Sequence, residues 1–352
     1  MSSRNPDVAA VRTAVRRFLA GTAAAEHLAQ GELAIAVSGG PDSLALAALA
    51  VPLAAERGTR AVGLVVDHQL QPGSARVAAR AAEQLTEMGA QSRVLTVTVT
   101  GRGGMEAAAR RARYAALREA VRPGSLVMLG HTRDDQAETV LLGLGRGSGP
   151  RSIAGMRPLE PPWARPLLAV SRAQTVGTCA ALGLPTWSDP QNADDRFTRV
   201  RLRKEVLPLL EEVLAGGVSA ALARTAAQMR EDLEVLDSLA AELLVCAESG
   251  SCSKEEHKSH FQQPHLHKSH FQQTLAVGVL EPAPAALRRR ALRRWLLAAG
   301  VGDLTAAQIG AVDALIWAWH GQGAVWVHGG LAVRRAHGRL WLDSSTRPHS
   351  AR

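Results

Sequence analysis

Cysteine and lysine are both scarce in this chain of 352 residues. The three cysteines, Cys179, Cys246 and Cys252, form no C-x-x-C pair, so we expect no disulfide framework and exclude a four-cysteine zinc or iron–sulfur site. The first 203 residues contain no lysine, which excludes a Walker-type phosphate loop there. No apolar stretch approaches the ~20 residues of a membrane span, and no apolar leader follows the N-terminus. The sequence therefore predicts a soluble, cytoplasmic protein without membrane contact.

The charge that is present is mainly that of arginine. The chain has 41 basic and 32 acidic side chains and a formal net charge of +9. This excess favours a polyanionic partner, because basic side chains can neutralise phosphates. The alternative is a compositional bias that arginine shares with the abundant alanine and leucine. The positions of the arginine clusters are therefore more informative than their number.

Apolar runs that suit buried strands alternate with helical patterns in the first half of the chain. The runs are 33–37, 61–66, 94–99 and 126–129. This alternation predicts an α/β fold with a mainly parallel sheet and helices on both faces. Ligands of such sheets bind outside the carboxyl ends of the strands. We expect three polar segments to meet at that edge, namely 38–43, 67–74 and 130–138.

The second half of the chain has a different pattern. Helical spacing dominates 198–247 and 285–320, whereas 324–342 alternates enough for one hairpin, centred near Gly329-Gly330 or His337-Gly338. We expect one domain over 1–215 and a second, mostly helical domain over 216–345.

Residues 251–274 do not match their surroundings. They hold three of the four lysines and five of the twelve histidines, and His257 to Gln263 recurs as His267 to Gln273. The composition predicts a disordered surface insertion. A metal-binding histidine tract is the alternative.

The segment Ser38-Gly39-Gly40-Pro41-Asp42-Ser43 joins the first strand to a helix. Its glycines let main-chain amides approach a ligand, the helix N-terminus favours phosphate, and the serine hydroxyls can donate further bonds. Asp42 would repel bare phosphate, so its presence predicts a magnesium ion that bridges the carboxylate and the phosphates. The alternative is a tight turn without a ligand. The position after the first strand favours pyrophosphate binding, and the segment resembles the loop of N-type ATP pyrophosphatases, which split ATP into AMP and pyrophosphate.

Four further segments resemble motifs of one family of these enzymes, the tRNA(Ile)-lysidine synthetases. They are Val66 to Ser74, Glu106 to Tyr114, Gly130 to Thr139, and Asp189-Pro190-Gln191-Asn192 followed by Arg199 to Arg203. Gln71 and Val200 depart from the family pattern, which has arginine and asparagine there, and these departures concern tRNA contacts rather than the class. The resemblance covers about residues 33–215.

The resemblance implies a two-step reaction. In that family the 2-carbonyl oxygen of the wobble cytidine attacks the α-phosphate of ATP, and the ε-amine of lysine then attacks C2 and expels AMP. The implied ligands are ATP, Mg²⁺, free L-lysine and isoleucine tRNA with a CAU anticodon. The implied ATP site consists of the 38–43 loop together with Asp67, His68, Gly130 and His131.

The same resemblance assigns roles to charged residues. Asp135 and Glu138, three apart on one helix, present two carboxylates that can hold the lysine ammonium and remove a proton. Asp42 and Asp134 are assigned to the metal, and the guanidinium groups of two arginines to the developing phosphate charge. These two arginines are Arg110 and Arg113. The alternatives are a solvated helix N-terminus, ordinary exposed arginines and structural histidines at 68 and 131.

Two arginine clusters predict the contacts with tRNA. The residues assigned to them are Arg199, Arg201 and Arg203 in the first cluster, and Arg289 and Arg293 in the second. Arginine suits RNA phosphates, and single-stranded anticodon bases suit stacking. The alternative is a solvated helix face in each case.

Three other functions compete with lysidine formation. A tRNA 2-thiocytidine synthetase would carry cysteine pairs, which this chain lacks. GMP, NAD and asparagine synthetases share the loop but not the Gly130 to Thr139 pattern. A non-catalytic RNA-binding relative is disfavoured by the intact Asp42, Asp135 and Glu138. The sequence leaves the oligomeric state open, with a homodimer as one candidate.

Overall fold

The computed structural model describes residues 5–28, 32–100, 104–147, 149–188, 194–251 and 274–343. Two features singled out in the sequence, the 189–192 motif and nearly all of the histidine-rich segment, lie outside these residues. The chain divides into two units, the first ending at Arg230 and the second beginning at Glu231.

The first unit is built on a six-stranded sheet with the strand order β3-β2-β1-β4-β6-β5. The strands are β1 (Glu32–Val37), β2 (Arg60–Asp67), β3 (Gln91–Thr96), β4 (Leu126–Met128), β5 (Leu159–Glu160) and β6 (Trp163–Ala164). All pairings are parallel except that of β5 with β6. The predicted mainly parallel sheet is confirmed.

The third strand lies about three residues earlier than the predicted run 94–99. It is an edge strand and largely exposed, so it needs no continuous apolar sequence. Backbone pairing with β2, rather than apolar content, therefore sets its bounds.

Helices cover both faces of the sheet, as expected for right-handed crossovers. The helices that precede β4 in the chain are α1 (Pro6–Ala20), α2 (Thr22–Leu28), α3 (Pro41–Ala55), α4 (Ser74–Glu87) and α5 (Met105–Glu119). Those that follow β4 are α6 (Arg133–Gly145), α7 (Pro150–Ile153), α8 (Arg172–Ala181), α9 (Thr198–Arg201), a π-helical segment (Leu202–Val206) and α10 (Leu207–Val213).

The side chains of β1 divide between two apolar clusters. Leu33, Ile35 and Val37 pack on one side with α1, α3 and α8, whereas Ala34 and Ala36 pack on the other. Helix α3 is buried along most of its length, which explains its run of leucine and alanine. Both faces of the central strand are thus covered, which anchors the loop that follows it.

The second unit is mostly helical and carries a small antiparallel sheet. Helix α11 (Val218–Ser249) runs into it and is followed by β7 (Thr274–Ala276), α12 (Val277–Leu280), α13 (Ala285–Ala298) and α14 (Ala306–Trp317). The last strands are β8 (Val325–Trp326), β9 (Ala332–Ala336) and β10 (Arg339–Asp343). Both predicted turn positions reverse the chain, so the sheet has the order β7-β10-β9-β8 instead of one hairpin.

Two further expectations can be compared with the described residues. Cys179 is a free, buried thiol, but Cys246 is disulfide-bonded, which the scattered cysteines did not predict. Within the described ranges no single helix is long and apolar enough to cross a membrane; one pair, Thr198–Val213 with Val218–Ser249, passes on length and composition only when joined, across a 95° bend.

Candidate active site

The loop at the end of β1 leaves the first amides of α3 available for a ligand. Gly40 occupies the N-cap position and no side chain caps the helix, so its first N–H groups have no partner of the usual kind. Gly39 has a φ of 81°, which favours glycine. Ser43 Oγ accepts from the Ser38 amide at 3.1 Å and donates to the Gly40 carbonyl at 3.0 Å, and these bonds fix the loop. The arrangement suits the phosphates of a nucleotide.

The end of β4 lies directly against this helix terminus. A Cβ atom on Gly130 would come within 2.9 Å of the Asp42 carbonyl carbon and 3.0 Å of its oxygen. Only glycine fits that approach without a shift in the backbone. The Gly130-His131 and 38–43 segments therefore meet at one sheet edge, as the strand-end rule predicts.

A cavity of about 170 Å³ opens at the carboxyl ends of β1 and β2. Its lining includes Ser38, Asp67, His68 and Arg113, together with Trp187, which the sequence analysis did not single out. The Trp187 amide donates to the Gly39 carbonyl at 2.9 Å and so joins the loop to this cavity. Asp67 accepts from the Gln69 amide at 2.9 Å and holds the turn after β2. The cavity suits the base and ribose of a nucleotide, and we call it the nucleotide cavity.

Three carboxylates lie beside the loop and are connected by arginines. Arg172 donates through Nε to Asp42 at 3.1 Å and through Nη2 to Asp135 at 2.9 Å. Arg203 Nε donates to Glu138 at 2.7 Å, and its Nη2 lies 3.5 Å from Asp135. The acids predicted from the 42 and 135–138 positions thus belong to one ion-pair network.

One oxygen of this network accepts no hydrogen bond from the residues that the structure describes. Glu138 is fully buried, and its Oε2 accepts no hydrogen bond. Arg199 Nη1 lies 3.8 Å from that oxygen, beyond hydrogen-bond distance. A buried carboxylate oxygen without a donor is costly, so it marks a place where a donor group of a ligand can bind.

The network shifts the pKa values of its acids in different directions. Burial raises the pKa of Asp42 and of Glu138, although Arg172 and Arg203, respectively, oppose it. Burial also acts to raise the pKa of Asp135, but Arg172 and hydrogen bonds from Thr132 outweigh it and the pKa is lowered. Asp135 therefore stays ionised, while Glu138 is the acid better suited to accept a proton.

Asp134, predicted at the metal with Asp42, holds the start of α8. Its Oδ2 accepts from the Arg172 amide at 2.8 Å. Asp42 is bonded by Arg172 and Thr175. No group of three or more metal-binding side chains exists among the described residues. Magnesium bound to a nucleotide takes most of its ligands from phosphates and water, so Asp42 alone fits that role.

The two arginines assigned to the phosphate charge, Arg110 and Arg113, lie on α5. Arg113 lines the nucleotide cavity, and burial lowers its pKa. Arg110 is exposed and donates to the Tyr114 hydroxyl at 3.2 Å, with its guanidinium 4.8 Å from the ring centre. His131 is half-buried, and the desolvation of its ring lowers its pKa to about 3. Its ring is therefore neutral at physiological pH.

The arginines predicted to contact tRNA have separate surroundings. Arg199 and Arg203 face Glu138, whereas Arg201 is exposed and pairs with Glu205 at 2.8 Å. In the second unit Arg289 donates to the buried Asp313 at 2.8 Å, and Arg293 to the Leu304 carbonyl at 2.9 Å. The tRNA assignments of these five residues stay predictions.

Arg172 is the residue at the centre of the network that the sequence analysis missed. The signal that could have found it is Ser171-x-x-Gln174, a capping box that the structure confirms. That box places Arg172 at the first position of α8 and next to the N-terminus of α6. Its contacts with Asp42 and Asp135 are long-range and have no local signature.

The fold, the uncapped loop after β1 and the nucleotide cavity define a PP-loop ATP pyrophosphatase. A family model described as a PP-loop domain matches residues 11–210. The solved structure of a U34-tRNA thiolase, NcsA from Methanococcus maripaludis, aligns with a TM-score of 0.52 at 16% identity, covering 64% of this chain and 79% of that one. That likeness supports the fold alone.

Closer relatives give the particular family. A second model, described as the TilS substrate binding domain, matches residues 275–341. The tRNA(Ile)-lysidine synthase of Nocardia farcinica is 53% identical over 96% of this chain and 98% of its own length. That of Mycobacterium tuberculosis (strain H37Rv) is 50% identical over 94% of each chain. The chain belongs to the tRNA(Ile)-lysidine synthase family, as the sequence resemblance implied.

Proposed function

We propose that this enzyme joins free L-lysine to C2 of the wobble cytidine in isoleucine tRNA with a CAU anticodon, and converts ATP to AMP and pyrophosphate. The observation that carries the proposal is the direct link between the two halves of the site. Arg172 bridges Asp42, in the 38–43 loop, and Asp135. We call Asp42, Asp135 and Glu138, with the arginines that pair with them, the acid cluster. A nucleotide and an ammonium group can therefore bind side by side.

The first step is adenylation of the cytidine. The amides at the start of α3 hold the pyrophosphate that leaves, and Arg110 and Arg113 stabilise charge on the α-phosphate. The cytidine O2 forms a bond to the α-phosphorus as the bond to the β-phosphate breaks. A magnesium ion held by Asp42 would neutralise part of the phosphate charge.

The second step is attack by the lysine ε-amine on C2, which expels AMP. The incoming amine is an ammonium ion in solution and must lose a proton before it can attack. Asp135, which stays ionised, holds the ammonium, and Glu138, whose pKa is raised by burial, accepts the proton. The unpartnered Glu138 Oε2 is the acceptor atom.

Incubation with ATP, labelled lysine and CAU-anticodon tRNA tests the proposal, with labelled RNA and AMP as the expected products. Asp42→Ala should abolish AMP formation, because the loop loses its cation site. Asp135→Ala should chiefly raise the KM for lysine and leave ATP–pyrophosphate exchange with unmodified tRNA in place. Incorporation of only a different amino acid, or an unchanged lysine KM in Asp135→Ala, would contradict the assignment.

Two rival functions give different outcomes in the same assay. A 2-thiocytidine synthetase would adenylate the RNA but incorporate no lysine, and a non-catalytic RNA binder would show no ATP–pyrophosphate exchange. The lack of a C-x-x-C pair disfavours the first, and the ion-paired Asp135 and Glu138 disfavour the second. A cytoplasmic location and a homodimer stay predictions.

A further inference from the structure

A second cavity, of about 800 Å³, lies between the start of α5 and the later part of α6. Its lining includes four arginines, one aromatic ring and two hydroxyls, namely Arg110, Arg146, Arg151, Arg199, Phe197, Thr139 and Ser152. We call it the arginine cavity. It shares no lining residue with the nucleotide cavity. Arg110, which we assign to the α-phosphate, lies on the side of it nearest the ATP site in the proposed reaction.

The electrostatics of the arginine cavity favour an anion. Its four guanidinium groups remain charged at any physiological pH, and no acidic side chain lines it among those that the structure describes. The N-terminus of α5 also borders it at Gly104, the N-cap residue, which makes no side-chain cap bond. The amides of that first turn add a positive dipole end to the arginines.

The cavity is adjacent to the acid cluster. Arg199 lines it and also lies 3.8 Å from the unpartnered Glu138 Oε2. Thr139, which follows Glu138 on α6, forms part of the same lining and accepts from Arg199 Nη2 at 3.4 Å. If one nucleotide of an RNA reacts beside Glu138, the neighbouring nucleotides would therefore lie in the cavity.

These observations identify the ligand by its chemistry. We propose that the arginine cavity binds the RNA phosphodiester next to the target cytidine, with Phe197 stacking on an unpaired base. The proposal rests on the proposed function and deepens it. Arginine is the residue that RNA phosphates select, and a single aromatic ring among arginines is typical of single-strand recognition. The volume suits a nucleotide-sized ligand.

The test uses the full chain and a short anticodon stem-loop RNA carrying CAU. Arg146→Gln and Arg151→Gln are the variants of choice, because both side chains are exposed and neither belongs to the acid cluster. We expect each to weaken RNA binding by about tenfold, the value of one charge-assisted hydrogen bond. Each should also reduce the slope of log affinity against log salt by about 1.

A control that removes more charge at a distant surface separates a specific contact from general attraction. Arg76→Gln with Arg80→Gln removes two positive charges from the exposed face of α4, and neither residue lines the arginine cavity. RNA affinity should change little in this double variant. Phe197→Leu should weaken RNA binding without changing the salt slope, because stacking involves no counterion release. Circular dichroism melts of all variants check that they fold.

Three outcomes would overturn the assignment. The first is wild-type affinity and salt slope in the Arg146 and Arg151 variants. The second is an equal loss in the α4 control. The third is seen when pyrophosphate is added as an inhibitor of the enzyme. If the Arg146 and Arg151 variants bind RNA normally but are inhibited less by pyrophosphate, the cavity is a site for free phosphate species. Failure of wild-type enzyme to incorporate lysine, with RNA binding still dependent on Arg146 and Arg151, would instead refute only the proposed reaction.

Discussion

Replacing Arg172 by methionine removes the shared counterion of Asp42 and Asp135. Both ion pairs are close, at 3.1 and 2.9 Å, and the side chains of the two acids are only 20% and 12% exposed. Breaking a buried pair by removing one partner costs about 3–5 kcal/mol, because it leaves a charge buried without compensation. The Arg172 side chain is itself 25% exposed. We therefore expect the lower end of that range, a loss of about 3 kcal/mol near neutral pH.

The loss should depend on pH in a defined direction. The pKa of Asp135 is lowered in the folded enzyme, so its contribution to stability is present above the ordinary value of 3.8 and is lost as pH falls through the folded pKa. Arg172 is the largest contribution that opposes burial, so the pKa of Asp135 rises when it is removed. Protonation of Asp42 and Asp135 at low pH then removes the buried charge that lacks a counterion, so the variant becomes less unstable relative to wild type. The difference from wild type should be largest near pH 7 and should shrink towards about pH 4.

Urea unfolding at both pH values, with hydrogen exchange read for peptides of α3, α6 and α8, measures this effect in the first unit. Arg196→Met is the control, because Arg196 pairs with Asp194 at 2.7 Å but its side chain is 86% exposed. Such a fully exposed pair contributes little to stability, because solvent screens it. An Arg172 effect as small as that of the control, or one that does not change with pH, would refute the network as the source of stability.

Three shorter predictions concern other parts of the first unit. Gly130→Ala should destabilise it by about 1–3 kcal/mol and weaken ATP binding, because the new methyl group would lie 2.9 Å from the Asp42 backbone; unchanged urea unfolding and ATP affinity would contradict this. The His131 ring should stay neutral throughout the physiological range, since burial lowers its pKa to about 3, and its NMR shifts should not titrate near 6.5. Burial raises the pKa of Cys179 to about 11, so iodoacetamide should label it slowly in the native protein at neutral pH and readily after unfolding.

The fold of the first unit follows largely from local sequence patterns. The β1 run is apolar because both of its faces are covered, and the Gly-rich loop after it is required by the sharp entry into α3. Since parallel strands end at the same edge, the convergence of the 38–43 and 130–138 segments was also predictable. Each of these steps depends on neighbours in the chain or on a general rule of sheet topology.

Contacts between distant segments were not predictable in the same way. Arg172 is 130 residues from Asp42, and no periodicity connects them. Arg203 was assigned to tRNA from charge alone, yet it donates to Glu138 across 65 positions. In the second unit β7 pairs with β10 although three helices and two strands separate them in the chain, so only a single hairpin was expected. Such pairings depend on the tertiary packing of several elements.

The charge balance of the acid cluster favours a zwitterionic substrate over a simple amine. The carboxylates of Asp42, Asp135 and Glu138 face Arg172, Arg203 and Arg199, so three negative groups meet three positive ones. An added ammonium can donate to Glu138 Oε2, but it would leave these three acids outnumbered by positive charges in a largely buried site.

Free lysine brings its own α-carboxylate, which can pair with one of the three guanidinium groups and so offset the charge of the ε-ammonium at Glu138. Cadaverine has the same chain and amine but no carboxylate, so it should neither react nor compete with lysine at concentrations near the lysine KM. An inhibition series at fixed RNA and ATP measures this. The matched compound is Nα-acetyl-lysine, which keeps both the ε-amine and the carboxylate. Competition by cadaverine as strong as that by the matched compound would show that the arginines do not bind a substrate carboxylate.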